Sequence, residues 1–181
     1  MFKKTCSFIG HRKIVETKEL KAKVKSIIEY LIEKKNVKTF LFGSKSQFND
    51  LCLGVVSELK IKYPDIKRVV YTCNSESVVF AEDKEKWQKV YDCLNINVPI
   101  LAVEEEVEHK AKYLAGRAAY VERNRAMIDA SGFCVFYYDQ NYIPALPCGT
   151  KPNIVRQAKS GTAQAYKYAK RKNKQCYNIA E

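Results

Sequence analysis

Three β-prone apolar runs, each followed by a turn and then by apolar residues at helical spacing, constrain this chain more than anything else in it. Residues 5–10 form the first run and end at Gly10. Residues 17–35 then place Leu20, Val24, Ile27, Ile28, Leu31 and Ile32 on one helical face, with Thr17 available as N-cap. Val37 to Phe42 is a second strand closing on Gly43, and Leu51, Cys52, Val55, Val56 and Leu59 mark a second amphipathic helix between Phe48 and Tyr63, stopped by Pro64. Arg68 to Thr72 is a third strand. Short strands alternating with long helices call for right-handed βαβ crossovers, and therefore for a parallel sheet in an α/β fold.

The rest of the chain continues the pattern less cleanly. Asp83 to Leu94 reads as a helix, Val98 to Val103 as a strand, and Glu104-Glu105-Glu106 as the solvated start of a helix. Residues 109–130 read as one long helix or two joined pieces, with Gly116 as the weak point. Phe133 to Tyr138 is apolar without alternation, as a strand covered on both faces should be. Gly161 to Lys172 is a closing helix and Gln175 to Ala180 a final strand. Between them, residues 139–160 carry Pro144, Pro147, Gly149 and Pro152, and a loop of this length beyond a strand end predicts a lid or flexible binding loop. With no linker or repeat in view, residues 1–181 are expected to form one domain.

Composition narrows the function classes. No apolar run approaches the ~20 residues a bilayer-spanning helix needs, and the N-terminus has too short an apolar core for a signal peptide. A cytoplasmic protein without a membrane partner is the expectation. The seven cysteines are odd in number and include no Cys-x-x-Cys pair, so they read as small buried hydrophobes in a reducing compartment. His11 and His109 share no ligand spacing with any cysteine pair, so no metal is expected. The formal net charge of +12 suits a solvated surface, with attraction of polyanions as the sharper reading.

Open parallel sheets bind ligands beyond the carboxyl ends of their strands. Four turns there carry suggestive residues: Gly10-His11-Arg12, Gly43-Ser44, the strand end at Asp139, and the helix opening Ser160-Gly161-Thr162. Tyr120 through Asp129 adds Arg123, Asn124 and Arg125 on a helix entering the Phe133 strand. Arg123 lies four residues before Met127 and shares its side of the helix, whereas Arg125 should be solvated or paired with Glu122 or Asp129. Guanidinium groups facing a glycine-softened helix N-terminus suit a phosphate-bearing ligand, because both supply donors and positive potential. One helix end contributes about 0.3–1 kcal/mol, while micromolar affinity needs roughly 8 kcal/mol, so several turns must cooperate. The dinucleotide fingerprint and the P-loop are both absent.

In their order, Ser7 to Arg12, Phe40 to Ser44, Tyr120 to Asp129 and Ser160-Gly161-Thr162-Ala163 resemble the YpsA-like branch of the SLOG superfamily over nearly the whole chain. That superfamily also holds the LOG (Lonely Guy) cytokinin-activating proteins and the DNA-processing protein DprA. The resemblance implies a Rossmann-like three-layer sandwich, with a mostly parallel central sheet flanked by helices. It also implies a nucleotide or nucleotide-derived ligand at the sheet's carboxyl edge, with no further cofactor, in a sensor, carrier or sequestering module. Gly10, His11, Arg12, Gly43, Ser44, Arg123, Asn124, Asp139, Ser160, Gly161 and Thr162 are the expected ligand contacts. Relatives often pair, so a homodimer or larger homo-oligomer is expected, with helix 109–130 as the candidate interface.

The alternative is a LOG-like phosphoribohydrolase that cleaves the N-glycosidic bond of a nucleoside monophosphate. The LOG pattern has an arginine four residues before a methionine, which Arg123 and Met127 match. Its Pro-Gly-Gly-x-Gly-Thr-x-x-Glu run survives only as Ser160-Gly161-Thr162, with Ala165 at the glutamate position. Arg123 and Asp139 would then be the catalytic candidates, Asp139 substituting for the missing carboxylate. Single-stranded nucleic-acid binding is a further alternative, on the charge and the DprA kinship.

Overall fold

A computed structural model describes residues 3–73, 103–110, 117–142 and 160–180. Six strands, β1 (Thr5–Gly10), β2 (Thr39–Gly43), β3 (Lys67–Cys73), β4 (Glu105–His109), β5 (Phe133–Tyr137) and β6 (Gln175–Asn178), form one sheet in the order β4-β3-β2-β1-β5-β6. Every neighbouring pair is parallel. Four helices are described: α1 (Lys18–Lys35), α2 (Gln47–Leu59), α3 (Arg117–Ala130) and α4 (Gly161–Arg171).

Both faces of the sheet are covered, which is why its inner strands are nearly continuous apolar runs. Alternate residues point to opposite sides. Phe8, Phe40 and Phe42 stack on one face and meet Val24, Ile28 and Leu31 of α1 and Cys52, Val55 and Val56 of α2. Ile9, Cys134 and Phe136 meet Ile128 of α3 and Ala165 and Ala169 of α4 on the other face, beside Leu41, Val69 and Met127. The α/β three-layer sandwich with a parallel sheet is therefore as the sequence predicts, and the parallel character extends to all six strands.

Thr17 caps α1 by accepting from the Leu20 amide at 3.1 Å, as expected, and Asn36 ends that helix in the left-handed region. Two expectations are corrected. Residues Glu105 and Glu106 begin strand β4 rather than a helix, because the backbone pairs with β3 from Val69 to Cys73. The helix expected over residues 109–130 is described from Arg117, and His109 closes the strand instead. The helix at 83–94, most of the strand at 98–103 and residues 143–159 of the expected lid lie outside the described residues. No described helix is long and apolar enough to cross a membrane.

The strand order reverses between β1 and β5. From β1 the chain winds outward through α1 and α2 on one face, then returns through α3 on the other and resumes beside β1. The carboxyl ends of β1 and β5 therefore flank the crevice where α/β sheets receive ligands.

Candidate functional site

His11 sits directly at that crevice. Only 1% exposed, it lies one residue beyond the paired ends Gly10 and Tyr137. Its Nε2 accepts from the Asp139 amide at 3.0 Å and lies 3.2 Å from the Asp139 carbonyl, joining the ends of β1 and β5. The Tyr142 ring stacks on the imidazole with centroids 3.8 Å apart. Burial pushes the imidazole pKa below its ordinary value, against a smaller opposing pull from Asp139, so the ring is neutral at pH 7. Nδ1 is buried and meets no hydrogen-bond partner among the described residues.

The first turns of α3 start at the sheet's carboxyl edge, so a side chain there reaches the strand ends. Ala119, Arg123 and Met127 make one buried stripe at a spacing of four. The Arg123 guanidinium donates through Nη1 to Ser44 Oγ at 2.6 Å and to the Ser44 carbonyl at 3.3 Å. Its Nη2 donates to Asn124 Oδ1 at 3.1 Å. A Cβ on Gly43 would fall 2.6 Å from Nη2. The glycine thus makes room for the guanidinium, and a Cβ on Gly10 would likewise strike the Phe48 ring at 2.3 Å. At both positions the missing side chain accommodates the protein's own groups.

Tyr120, one turn before Arg123, holds the cluster together. The Arg123 guanidinium lies 5.2 Å from its ring centroid and that of Arg12 lies 5.8 Å away. Two guanidinium groups from distant parts of the chain are thereby gathered at one ring, each such contact contributing about 0.5–2 kcal/mol depending on exposure. The sequence reading did not single out Tyr120 for this role. Arg12 and Arg123, both expected at the ligand edge, reach it from positions 111 residues apart.

The β1 and β2 turns are also laced to each other. Ser46 caps α2 and donates to the His11 carbonyl at 3.1 Å, while the Gln47 amide donates to the Arg12 carbonyl at 3.0 Å. Asn49 accepts from the Gly43 amide at 2.9 Å. Between Ser44 and Ser46, Lys45 adopts φ 56°, a left-handed conformation that a lysine rarely takes and that is common at functional turns.

Eight of the eleven expected contacts therefore meet at the ends of β1, β2 and β5: Gly10, His11, Arg12, Gly43, Ser44, Arg123, Asn124 and Asp139. Asp139 is exposed, and its Oδ1 accepts from the Asn141 amide at 2.8 Å in a local turn. The other three open α4, which follows β5 and so also starts at the carboxyl edge. Ser160 caps that helix by accepting from the Ala163 amide at 3.0 Å, Thr162 is buried, and the Cβ position of Gly161 faces open space. Arg125 is exposed, as expected, and its guanidinium lies 5.4 Å from the ring of Tyr168 in α4, whose hydroxyl bonds Asp129.

A cleft of about 360 Å³ opens next to this rim, between the β1–α1 loop, α1 and α2. Ile14, Lys21, Gln47, Asp50, Leu51 and Val55 line it, and it shares no residue with the Arg123 cluster.

Known proteins bear on this arrangement. The model of a family described as the YspA SLOG family matches residues 9–180. A protein of Bacillus subtilis (strain 168), called uncharacterized SPbeta prophage-derived protein YoqJ, is 30% identical over 161 residues, or 84% of this chain and 81% of that protein.

Proposed function

Because this chain belongs to the YspA SLOG family, whose membership points to a nucleotide-related role, we propose that it binds a nucleotide or nucleotide-derived ligand at the carboxyl edge of its sheet. It would act as a sensor, carrier or sequestering module. The gathering of Arg12 and Arg123 on Tyr120, with Arg123 fixed on Ser44 at the end of β2, carries this reading. A guanidinium already held in place loses little freedom when phosphate arrives, and its donors match phosphate oxygens. The N-terminus of α4 at Gly161 adds amides and a positive dipole end on the same edge. His11 adds a polar atom buried beside the strand crossover, which a base or ribose group would satisfy.

Base cleavage has weaker support. Ala165, at the position where hydrolytic relatives are expected to carry glutamate, packs with Ile128 and Phe136. A carboxylate there would enter the apolar layer between α4 and the sheet. Asp139 remains at the rim with an exposed carboxylate, which together with the spacing of Arg123 and Met127 favours hydrolysis.

Calorimetric titration with a panel of mononucleotides, dinucleotides and cyclic nucleotides tests the proposal. At least one should bind, and Arg123→Ala should weaken it tenfold or more while circular dichroism remains native. Unchanged affinity in that folded variant would refute the assignment. Chromatography of the same mixtures should show no free base; base release that disappears in Asp139→Asn would establish the hydrolase instead.

A further inference from the structure

Cys134 in β5 and Cys176 in β6 are register partners on adjacent parallel strands. Neighbouring strands lie about 4.8 Å apart, inside the Cα separation of roughly 4.4–6.8 Å that a disulfide bridges. Both side chains point to the α4 face, where Cys134 is fully buried and Cys176 is half-buried at the margin. Ser7, the register partner of Cys134 in β1, donates its hydroxyl to Cys134 Sγ at 3.3 Å. A polar row thus crosses the sheet from Ser7 through Cys134 to Cys176, and only its outer end reaches solvent.

We propose that Cys176 is an oxidation site for peroxides and that Cys134 is its resolving thiol, closing a reversible cross-strand disulfide. In the first step the Cys176 thiolate attacks one oxygen of hydrogen peroxide. An S–O bond forms, the O–O bond breaks, sulfur loses two electrons, and the departing hydroxide takes a proton to become water. In the second step the Cys134 sulfur attacks the sulfenic sulfur. An S–S bond forms, the S–O bond breaks, and the hydroxyl leaves as water with the thiol proton of Cys134. A dithiol reductant reverses the product by exchange.

The surroundings fit this division of labour. Hydrogen bonding with Cys134, aided by the Lys170 charge, lowers the Cys176 pKa against the opposing effect of burial. The Lys174 carbonyl, 3.4 Å from Cys176 Sγ, favours the protonated thiol and moderates that shift. The same pairing with Cys176, followed by burial, raises Cys134, which stays protonated until a sulfenic acid forms next to it. Two residues beyond Cys176, Asn178 bonds both the amide and the carbonyl of Tyr138 at 3.0 Å, so β6 is tied to the strand end that leads into Asp139. The proposal does not depend on the nucleotide reading.

The test is to expose the reduced full-length protein to a few-fold excess of hydrogen peroxide, block remaining thiols with N-ethylmaleimide and map peptides without reduction. The expected result is a linked pair of peptides carrying Cys134 and Cys176, lost on dithiothreitol treatment. In Cys134→Ser, dimedone should label Cys176 as a trapped sulfenic acid. The wild-type map is decisive even if that variant folds poorly. Cys176 still maleimide-reactive after peroxide, or linked to a different cysteine, would overturn the proposal.

Discussion

Gly43→Ala is the sharpest test of whether the rim is built around Arg123. The new Cβ would sit 2.6 Å from Nη2 and 2.9 Å from Cζ of that residue, so the nearer atom must retreat by about 0.8 Å to reach ordinary contact at 3.4 Å. The guanidinium has little room to do so, being held at 2.6 Å from Ser44 Oγ and 3.1 Å from Asn124 Oδ1. Either strain is retained, at about 1–3 kcal/mol, or a charge-assisted hydrogen bond is lost, at about 1.5–3 kcal/mol. These are alternative outcomes of one collision, so the expected loss is about 2 kcal/mol rather than their sum. Arg123→Ala removes the obstacle. In that background the alanine at 43 should be neutral, or should stabilise by up to about 1 kcal/mol by restricting the unfolded chain. Urea unfolding of the four proteins, followed by far-ultraviolet circular dichroism, gives the cycle, and its coupling term should be about 2 kcal/mol. An equal cost of Gly43→Ala in both backgrounds would refute the reasoning, because the glycine would then answer to its own backbone and not to the guanidinium.

Three further outcomes are expected. His11 is depressed by burial, so the unfolded chain binds its proton more readily; the stability it protects should be complete above about pH 6.5 and decline as pH falls below that. His11→Phe should flatten this window in denaturant titrations, and an unchanged slope would count against a neutral buried imidazole. Burial pushes Glu104 up, but hydrogen bonds and charge from Arg68 outweigh it and hold the carboxyl at about 2. Its stabilisation should therefore be full above pH 4.5 and fade towards pH 2, by about 1 kcal/mol after solvent screening; Glu104→Gln should lose this acid dependence in the same titration. Ala165→Glu should destabilise by about 3 kcal/mol or more, because it buries an unpaired carboxylate against Ile128 and Phe136. A lowered melting temperature without base release would fit; a native melt with new base release would not.

The elements legible in the sequence are those whose burial is written into their spacing. β1, β2, β3 and β5 are apolar on both faces, and α1 and α2 repeat apolar residues along one side, so local pattern and tertiary packing agree. β4 escaped because its residues, Glu105-Glu106-Val107-Glu108-His109, carry almost no apolar signal. Val107 packs against the Leu41 and Met127 cluster and half-buried His109 lies 3.7 Å from Glu122 of α3, while the backbone pairs along β3. Backbone pairing leaves no mark in composition. The charges also give that strand a rim unattractive to further strands.

The candidate site divides along the same line. Arg123 was readable because a spacing of four links it to Met127, a local relation. The roles of Tyr120 between two arginines, Phe48 beneath Gly10 and Tyr142 on His11 depend on contacts between distant segments, which no local pattern encodes. Arg125 makes the physical reason plain. Its own helix offered Glu122 and Asp129 at favourable spacing, but such exposed pairs contribute only about 0.2–0.5 kcal/mol. A cation on an aromatic face contributes as much or more, and once α3 packs against α4, Tyr168 presents its ring to Arg125 and its hydroxyl to Asp129. Exposed Arg125 thus gains a tertiary partner that its weak local preferences do not announce. Residues on this rim are therefore best tested across elements, in pairs such as Gly43 with Arg123, and not one helix at a time.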